Sequence, residues 1–356
     1  MKIGILTFHR AINYGAVLQA YALQETLQGL GHEMCVIDYR QPRVERTDRK
    51  PFDSKARNNL LKKMHIRSWL NYNRNKELVK MRRQRFDEFL NKYINLTRPC
   101  TQENVPQMDA YVIGSDQVWN GAICDGLDSV FWGDFPHFES SRIVSYAAST
   151  SIKDLQKHNH SIVQRLLGNF SHISVREKET CDYLNYHYDL NQDVITVLDP
   201  TLLAEKEIWD RFDNDEYKNQ DYVLYFGARG CSEYPIVLRD KAESLAKQFG
   251  CGLKTIDFNG DSPVDFVNKF RNAKAVVSSS FHGVAFSLIF NRPLYAVMYG
   301  DEQDTRYVNV LKTVGADDML VDLYQDVAPR EYNYAVINKK LSELRTTSIE
   351  YLQCLR

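Results

Sequence analysis

The 356-residue sequence lacks the features of several large protein classes. It has no hydrophobic run approaching the roughly 18 consecutive apolar residues of a membrane-spanning helix. The first apolar stretch, from Met1 to Phe8, is too short for a secretory signal peptide. With 10 prolines, 17 glycines and 44% hydrophobic residues, the composition is neither collagen-like nor disordered. We therefore expect a soluble, cytoplasmic, globular protein.

Cysteine and histidine are too scattered to indicate a disulfide framework or a metal site. The seven cysteines show no C-x-x-C spacing, and His158 and His160 are only two residues apart. Nucleotide-binding fingerprints are also incomplete, because Gly227-Ala228-Arg229-Gly230 lacks the third glycine of G-x-G-x-x-G. These patterns predict reduced thiols, no bound metal and no dinucleotide cofactor.

The net charge of −1 conceals an uneven distribution. Between Arg40 and Arg98, 18 Lys and Arg face 6 Asp and Glu, so residues 40–98 carry +12 and the remainder −13. We call residues 40–98 the basic segment and interpret it as one or two surface helices inserted in the first domain, since such charge runs are usually solvated. The same charge can attract phosphates or anionic lipid.

Alternating apolar strands and amphipathic helices predict an α/β protein with two Rossmann-like domains and a central cleft. The opening strand Lys2–Phe8, a helix ending at Gly31 and the strand Met34–Tyr39 are typical of a parallel sheet, whose ligands bind beyond the carboxyl ends of its strands. The sequence Asp199-Pro200-Thr201-Leu202-Leu203 and the acidic stretch to Asp221 resemble a linker, because Pro200 and the loss of periodicity interrupt the pattern.

These breaks predict the domain limits. We expect an N-terminal, acceptor-side domain over 1–200 and a C-terminal, donor-side domain over 201–330. The final stretch, 331–356, is expected to be a helix that packs back on the first domain.

The stretch Ser279-Ser280-Phe281-His282-Gly283 follows a buried strand and opens a helix. Free backbone N–H groups at a helix start attract anions, and glycine permits close approach of a ligand. His282 at this point could act as a general acid once an anion keeps it protonated. The alternative is a histidine that only caps the helix.

Two further strand ends carry polar side chains. Arg176 can hold a carboxylate or phosphate with its bidentate fork, or it can simply pair with Glu179. The loop Gly114–Asn120 combines carboxylate, amide and indole groups, which suits a sugar that needs hydrogen bonds and an aromatic face. Asp116 in this loop could instead cap a helix.

Six segments, in this order, resemble the polysaccharide pyruvyl transferase family. They are Asn13–Leu23, Gly114–Asn120, Ser145–Ser149, Ser174–Glu177, Asp199–Thr201 and Ser279–Gly283. The resemblance implies a fold like that of the two-domain GT-B glycosyltransferases, with phosphoenolpyruvate as the donor co-substrate and no other cofactor. The implied reaction builds a pyruvate ketal on two sugar hydroxyls of a capsular, exopolysaccharide or cell-wall glycan precursor.

The family's pattern also implies residue roles. It makes His282 the general acid and Arg176 and Arg306 the donor-binding basic residues. Protonating the enolpyruvyl group and activating the hydroxyls needs an acid and a base, and we assign the base to Asp116. The anion site adds Ser279, Ser280 and Gly283 to the donor side. The acceptor side is assigned to Asn13, Tyr14, Gln117, Trp119 and Asn120.

One position departs from the family's pattern. Many members carry an arginine two residues before the histidine, where this chain has Ser280. The donor's charge must then be met by Arg176, Arg306 and the helix N-terminus, or the donor differs.

Two other functions stay open, a nucleotide-sugar-dependent glycosyltransferase of the same fold and a non-catalytic glycan- or anion-binding protein. For a lipid-linked oligosaccharide acceptor, we expect the basic segment to hold the acceptor's pyrophosphate or to lie peripherally on the inner membrane face. No nucleic-acid partner is expected.

Overall fold

The computed structural model describes residues 1–45, 77–136, 138–227, 234–301 and 304–355. The strands are β1 (Lys2–Leu6), β2 (Glu33–Val36), β3 (Ala110–Ile113), β4 (Arg142–Ser145), β5 (Ser174–Val175), β6 (Ile195–Thr196), β7 (Tyr222–Phe226), β8 (Gly252–Thr255), β9 (Ala275–Ser278), β10 (Leu294–Met298) and β11 (Leu320–Asp322). The α-helices are α1 (Tyr14–Gly29), α2 (Pro42–Glu45), α3 (77–93), α4 (Gly121–Cys124), α5 (Ile152–Leu155), α6 (His160–Leu167), α7 (Lys178–His187), α8 (Pro200–Leu203), α9 (Lys206–Asp210), α10 (Tyr234–Phe249), α11 (Pro263–Asn272), α12 (Phe281–Ile289), α13 (Thr305–Val314) and α14 (Tyr334–Leu352).

The strands form two parallel sheets. The first has the order β2-β1-β3-β4, and isolated bridges from Val144 to His172 and from Ala148 to Val175 attach the β5–β6 pair beside β4. The second has the order β11-β10-β9-β7-β8. Most strand residues are apolar and buried, as expected when helices cover both faces of a parallel sheet. The predicted fold class, two Rossmann-like α/β domains, is confirmed.

A continuous apolar core joins the two sheets. It includes Leu18 of α1 from the first sheet's side and Phe286 of α12 from the second. Between them lies α8, whose Leu202 and Leu203 are buried. The prediction of a linker after Asp199 is therefore wrong at its start, since Asp199 caps a buried helix by accepting from the Thr201 N–H at 2.9 Å.

The last helix, α14, packs against the first sheet's side of the molecule. The Ser348 hydroxyl accepts a hydrogen bond from the Leu198 N–H at 3.0 Å, and the Tyr351 hydroxyl donates to the Ser145 carbonyl at 2.7 Å. Leu341 and Leu352 of the same helix are buried in the shared core. The chain thus returns to its first half after completing the second sheet.

The basic segment is described only in part. Its α3 is amphipathic and buries Phe86, Phe89 and Leu90, so it belongs to the core on one face and is more than a surface helix. Residues 46–76, which carry +8 of the segment's +12, lie outside the described residues. Every helix of the described residues is too short or too polar to span a bilayer.

Candidate active site between the two sheets

A cavity of about 370 Å³ lies where the carboxyl ends of the two sheets face each other. Segments that follow β1, β3 and β5, together with α3, line one side, and the end of β7 and segments that follow β8, β9 and β10 line the other. Three guanidinium groups and one carboxylate lie in its wall, which makes it suited to an anionic ligand. The sequence-predicted residues in this wall are Asn13, Tyr14, Asp116, Arg176, Ser279, Ser280, His282 and Arg306.

His282 occupies the first turn of α12 and lies directly against α1. A Cβ atom added to Gly15 would stand 2.1 Å from both Cε1 and Nδ1 of the His282 ring, so only glycine leaves room for the imidazole. The ring's Nε2 is covered and has no hydrogen-bond partner among the described residues. Ser280, the N-cap residue of α12, makes no side-chain capping bond. Within the described residues, the His282 side chain makes none either. The capping alternative therefore has no support in the geometry.

The unliganded site favours the neutral form of the His282 imidazole. Burial lowers its pKa below the ordinary value of 6.5, and Arg176 and Arg306 lower it further, while Asp199 and Asp116 oppose them. An anion bound beside the ring would reverse this balance and favour the protonated form.

Arg176 is held rigidly by its neighbours. Its Nη1 donates to Asp199 at 2.8 Å, its Nε to Glu177 at 3.0 Å and its Nη2 to the Ser149 hydroxyl at 3.2 Å. Burial opposes its charge, but Glu177 and Asp199 raise its pKa above the ordinary arginine value. The alternative pairing with Glu179 is wrong, because Glu179 instead accepts from the Asn309 side chain at 2.7 Å.

Asp199 is the buried anchor of this network. Burial opposes ionisation of its carboxyl group, but Arg176, His282 and the hydrogen bonds from Thr201 hold its pKa below the usual range. Asp199 belongs to one of the six family-like segments, but no role was predicted for it. An Asp before Pro at a helix start is the signal that could have identified it as an N-cap.

The loop after β3 contributes Asp116 to the cavity wall. Its backbone adopts φ +67°, a conformation that side-chain-bearing residues rarely take, and its carbonyl accepts from the Ser149 N–H at 2.9 Å. Its carboxylate accepts from the Gln117 N–H at 2.8 Å. Gln117 itself lies against Arg306 of α13. In the orientation that turns its amide oxygen towards the guanidinium, that oxygen accepts from Nη1 at 2.9 Å and links the two halves of the site.

Three predicted acceptor residues of this loop, Gln117, Trp119 and Asn120, do not line the cavity. Trp119 is buried at 1% exposure, stacks on Trp132 at 4.8 Å and donates to the Phe131 carbonyl, so its ring is not accessible to a sugar. Asn120 caps α4 by accepting from the Ala122 N–H at 3.0 Å. The structure therefore corrects all three acceptor-side assignments, because packing, capping and the contact with α13 already use these side chains.

Asn13 and Tyr14 line the cavity, but their side chains have structural partners. Asn13 caps α1 by accepting from the Ala16 N–H at 3.3 Å. The Tyr14 ring stacks on Phe266 at 4.7 Å, and its hydroxyl donates to the Asp261 carbonyl at 3.0 Å. Tyr14 thus joins α1 to the second sheet's side, and its hydroxyl is not presented to an acceptor.

The serines before α12 differ in their surroundings. Both serines border the cavity, but within the described residues only the Ser279 hydroxyl has a partner, since it donates to the Tyr299 hydroxyl at 3.1 Å. Gly283 does not line the cavity; a Cβ there would stand 2.1 Å from the Ser278 Oγ. Its glycine is required by this internal packing, which corrects its assignment as a point of ligand approach.

Arg176, Phe281 and Arg306 also border a second cavity of about 250 Å³. The Arg176 guanidinium lies 5.0 Å from the Phe281 ring centroid, so a cation–π pair separates the two spaces. Apolar side chains such as Val197, Val310 and Leu344 contribute to the second wall.

Seven residues that line the main cavity were not predicted from the sequence: Ile12, Gly15, Arg82, Phe226, Phe258, Phe266 and Phe281. Gly15 lies inside one of the family-like segments, but no role was predicted for it. Arg82 was part of the basic segment, although its position four residues before the buried Phe86 indicates the inward face of α3. Phe258 follows β8 in a polar loop and gave no signal.

Comparisons with known proteins give a family match over most of the chain. A family model described as polysaccharide pyruvyl transferase matches residues 13–301. A comparison with curated proteins finds no match.

Among solved structures, a UDP-GlcNAc 2-epimerase from Methanocaldococcus jannaschii is similar at 11% identity and a TM-score of 0.44, with 96% of this chain and 92% of that chain covered. A UDP-N-acetylglucosamine 2-epimerase from Rickettsia bellii is similar at 10% identity and a TM-score of 0.46, with 99% of this chain and 96% of that chain covered. The spinosyn forosaminyltransferase SpnP is similar at 12% identity and a TM-score of 0.39, with 99% of this chain and 93% of that chain covered.

Proposed function

Because the chain belongs to the polysaccharide pyruvyl transferase family, we propose that it transfers the enolpyruvyl group of phosphoenolpyruvate to two hydroxyls of a sugar and forms a pyruvate ketal. The acceptor is a glycan or glycan precursor. The observation that carries the proposal is the convergence of His282, Arg176, Arg306 and Asp116 on one cavity between the sheets.

The chemistry requires an acid, positive charge and a base. His282 gives a proton to the methylene carbon of the donor, which leaves an oxocarbenium-like centre at C2. One sugar hydroxyl adds there and loses its proton. A second hydroxyl then displaces inorganic phosphate from C2, which closes the ketal; its proton returns to the His282 imidazole, and the proton of the first hydroxyl leaves with the phosphate. Asp116 is the proposed acceptor of a hydroxyl proton.

The environment of His282 supports its role as the acid. Its lowered pKa favours the neutral imidazole in the free site, and the carboxylate and phosphate of the donor would raise the pKa on binding. The proton is then taken up together with the donor. The covered and unpartnered Nε2 supports this use, since a buried polar nitrogen without a partner costs free energy until a ligand satisfies it.

The direct test combines purified protein, phosphoenolpyruvate and a panel of candidate glycans. We expect release of inorganic phosphate and a new ketal methyl signal in the NMR spectrum of the product. His282→Gln should lower kcat about 10²- to 10⁴-fold, the usual range for a lost general acid. His172→Gln is the matched control, because His172 does not line the cavity.

Ligand-induced stabilisation tests the donor before an acceptor is known. Phosphoenolpyruvate at 100 times its Kd should stabilise the fold by about 2.7 kcal/mol. Stabilisation by a nucleoside diphosphate but not by phosphoenolpyruvate would instead favour the glycosyltransferase alternative. Binding of phosphoenolpyruvate and glycan with no turnover would favour the non-catalytic alternative.

A further inference from the structure

Arg82 enters the main cavity from α3, in the basic segment. Its side chain lines the main cavity together with Ser280 and His282. Its Nη2 donates to the Ile12 carbonyl at 3.0 Å, and its guanidinium lies 5.3 Å from the centroid of the Phe258 ring. These contacts fix the side chain in place at the cavity wall.

The charge of Arg82 is not compensated by the described part of the chain. Within residues 1–45, 77–136, 138–227, 234–301 and 304–355, no carboxylate lies at ion-pair distance from it. Its Nε is covered and has no hydrogen-bond partner there. Burial lowers the pKa of Arg82, which means that holding the charge at this place costs free energy. A bound anion would recover that cost.

The other cations of the cavity are arranged differently. Arg176 is already bonded to two carboxylates, Glu177 and Asp199. Arg306 lies against the Gln117 amide oxygen. Ser280 brings no charge at all to the start of α12. The site can therefore bind an anion next to Arg82, a positive charge that comes from the first half of the chain.

We propose that Arg82 binds the phosphoryl group of the donor. This inference rests on the proposed function, since it names the residue that receives the leaving phosphate. A guanidinium fork matches a phosphoryl group with two parallel charge-assisted hydrogen bonds. Cation–π contact with Phe258 orients the fork without neutralising it. The basic segment thus contributes to donor binding through one inward-facing arginine on α3.

The test compares Arg82→Gln with Arg85→Gln. Both changes remove one positive charge from α3, but Arg85 does not line the cavity. Arg82→Gln should raise the KM for phosphoenolpyruvate about 10- to 100-fold, the range for a lost charge-assisted hydrogen bond, with a smaller effect on kcat. Arg85→Gln should leave both constants within about twofold. An unchanged KM in Arg82→Gln would overturn the proposal.

Arg82→Lys separates the phosphate contact from a structural role. The lysine keeps the charge but loses the fork and the contact with the Ile12 carbonyl. We expect it to lose less donor affinity than Arg82→Gln. Equal losses in both variants, together with equal falls in Tm, would assign the effect to packing and overturn the proposal.

Inorganic phosphate provides a readout that does not depend on turnover. If the wild-type protein neither binds nor converts phosphoenolpyruvate, the proposed function fails, and the Arg82 site is then judged by phosphate binding in calorimetry. Phosphate binding that weakens about tenfold or more in Arg82→Gln supports the anion site. Phosphate binding that is absent from the wild type, or unchanged in the variant, overturns it.

Discussion

Gly15 and His282 show how one missing side chain positions a reactive group. The two residues are far apart in sequence, yet the imidazole fills the volume in which a Cβ at position 15 would stand. The glycine lies in the first turn of α1, where its flexibility has no obvious local use. Its role is therefore to let α12 approach α1 closely enough to place the ring in the cavity.

Gly15→Ala should reduce activity without unfolding the protein. The added methyl group would push the His282 ring away, and a displacement of about 1 Å at a reacting group can cost about 10²-fold in rate. We expect kcat to fall by roughly that factor while Tm changes little. Gly29→Ala on the same helix is the control, because a Cβ added to Gly29 would meet no atom of the described residues within 4 Å. Equal kcat values for the two variants would contradict the positioning role.

The pKa of His282 predicts two different pH profiles. A general acid must be protonated, so activity falls as pH rises through its pKa. The profile of kcat/KM reports the free enzyme, in which this pKa lies below 6.5. The profile of kcat reports the donor complex, in which bound anions raise the pKa. We therefore expect the falling limb of kcat at higher pH than that of kcat/KM, measured by steady-state phosphate release.

His282→Gln provides the control for these profiles. Its residual activity should lose the falling limb of kcat, while the titration of the donor's own phosphate remains in kcat/KM. Coincident limbs in the wild-type protein would mean that the donor does not change the protonation of this histidine.

At the scale of elements, α14 connects the second half of the chain to the first sheet's side. It follows the second sheet, but Ser348 and Tyr351 bond to backbone groups of the first sheet's side. Its apolar residues Leu341 and Leu352 enter the shared core. The helix therefore fixes the orientation of the cavity walls as well as adding stability.

Ser348→Ala should destabilise the protein, because it leaves the buried Leu198 N–H without its acceptor. An unsatisfied buried donor costs about 1–3 kcal/mol. Chemical denaturation should detect this loss in the free energy of unfolding. Ser342→Ala, at an exposed position of the same helix, measures the gain from helix propensity alone. A Ser348→Ala variant as stable as Ser342→Ala would rule out the bond as a stabilising contact.

At the scale of the whole molecule, the two sheets share one core. Aromatic contacts from α3 and α1 continue into the chain beyond α9, as when Phe89 lies 5.6 Å from Phe212 and Tyr21 lies 4.9 Å from the same ring. Buried residues of α8 and α12 extend this core to the second sheet. The halves are thus not joined by an exposed tether alone.

We expect a single calorimetric unfolding transition. Phe89→Ala should remove about 3–5 kcal/mol and shift that transition to lower temperature as one peak. Ile162→Ala, at 48% exposure, should leave the curve nearly unchanged. A split into two peaks, with only one moved by Phe89→Ala, would show that the two sheets unfold independently.

The sequence carried much of the secondary structure. Lys2–Phe8 and the helix to Gly31 correspond to β1 and α1 within a few residues, and the buried strand expected before Ser279 is β9. Strand and helix periodicity are local properties, so a single sequence reveals them. The three-residue β11 was missed, because so short a run carries no periodic pattern.

The candidate site likewise has features that the local sequence predicts and features that only tertiary packing determines. His282, Arg176 and Asp116 could be chosen from the sequence, because each follows the carboxyl end of a buried strand, where parallel sheets bind ligands. Their convergence on one cavity, the contact of His282 with Gly15 and the inward turn of Arg82 were decided by the tertiary structure. So was the burial of Trp119. Packing between distant segments determines which side chains are used up internally and which are left for a ligand, and no local pattern encodes it.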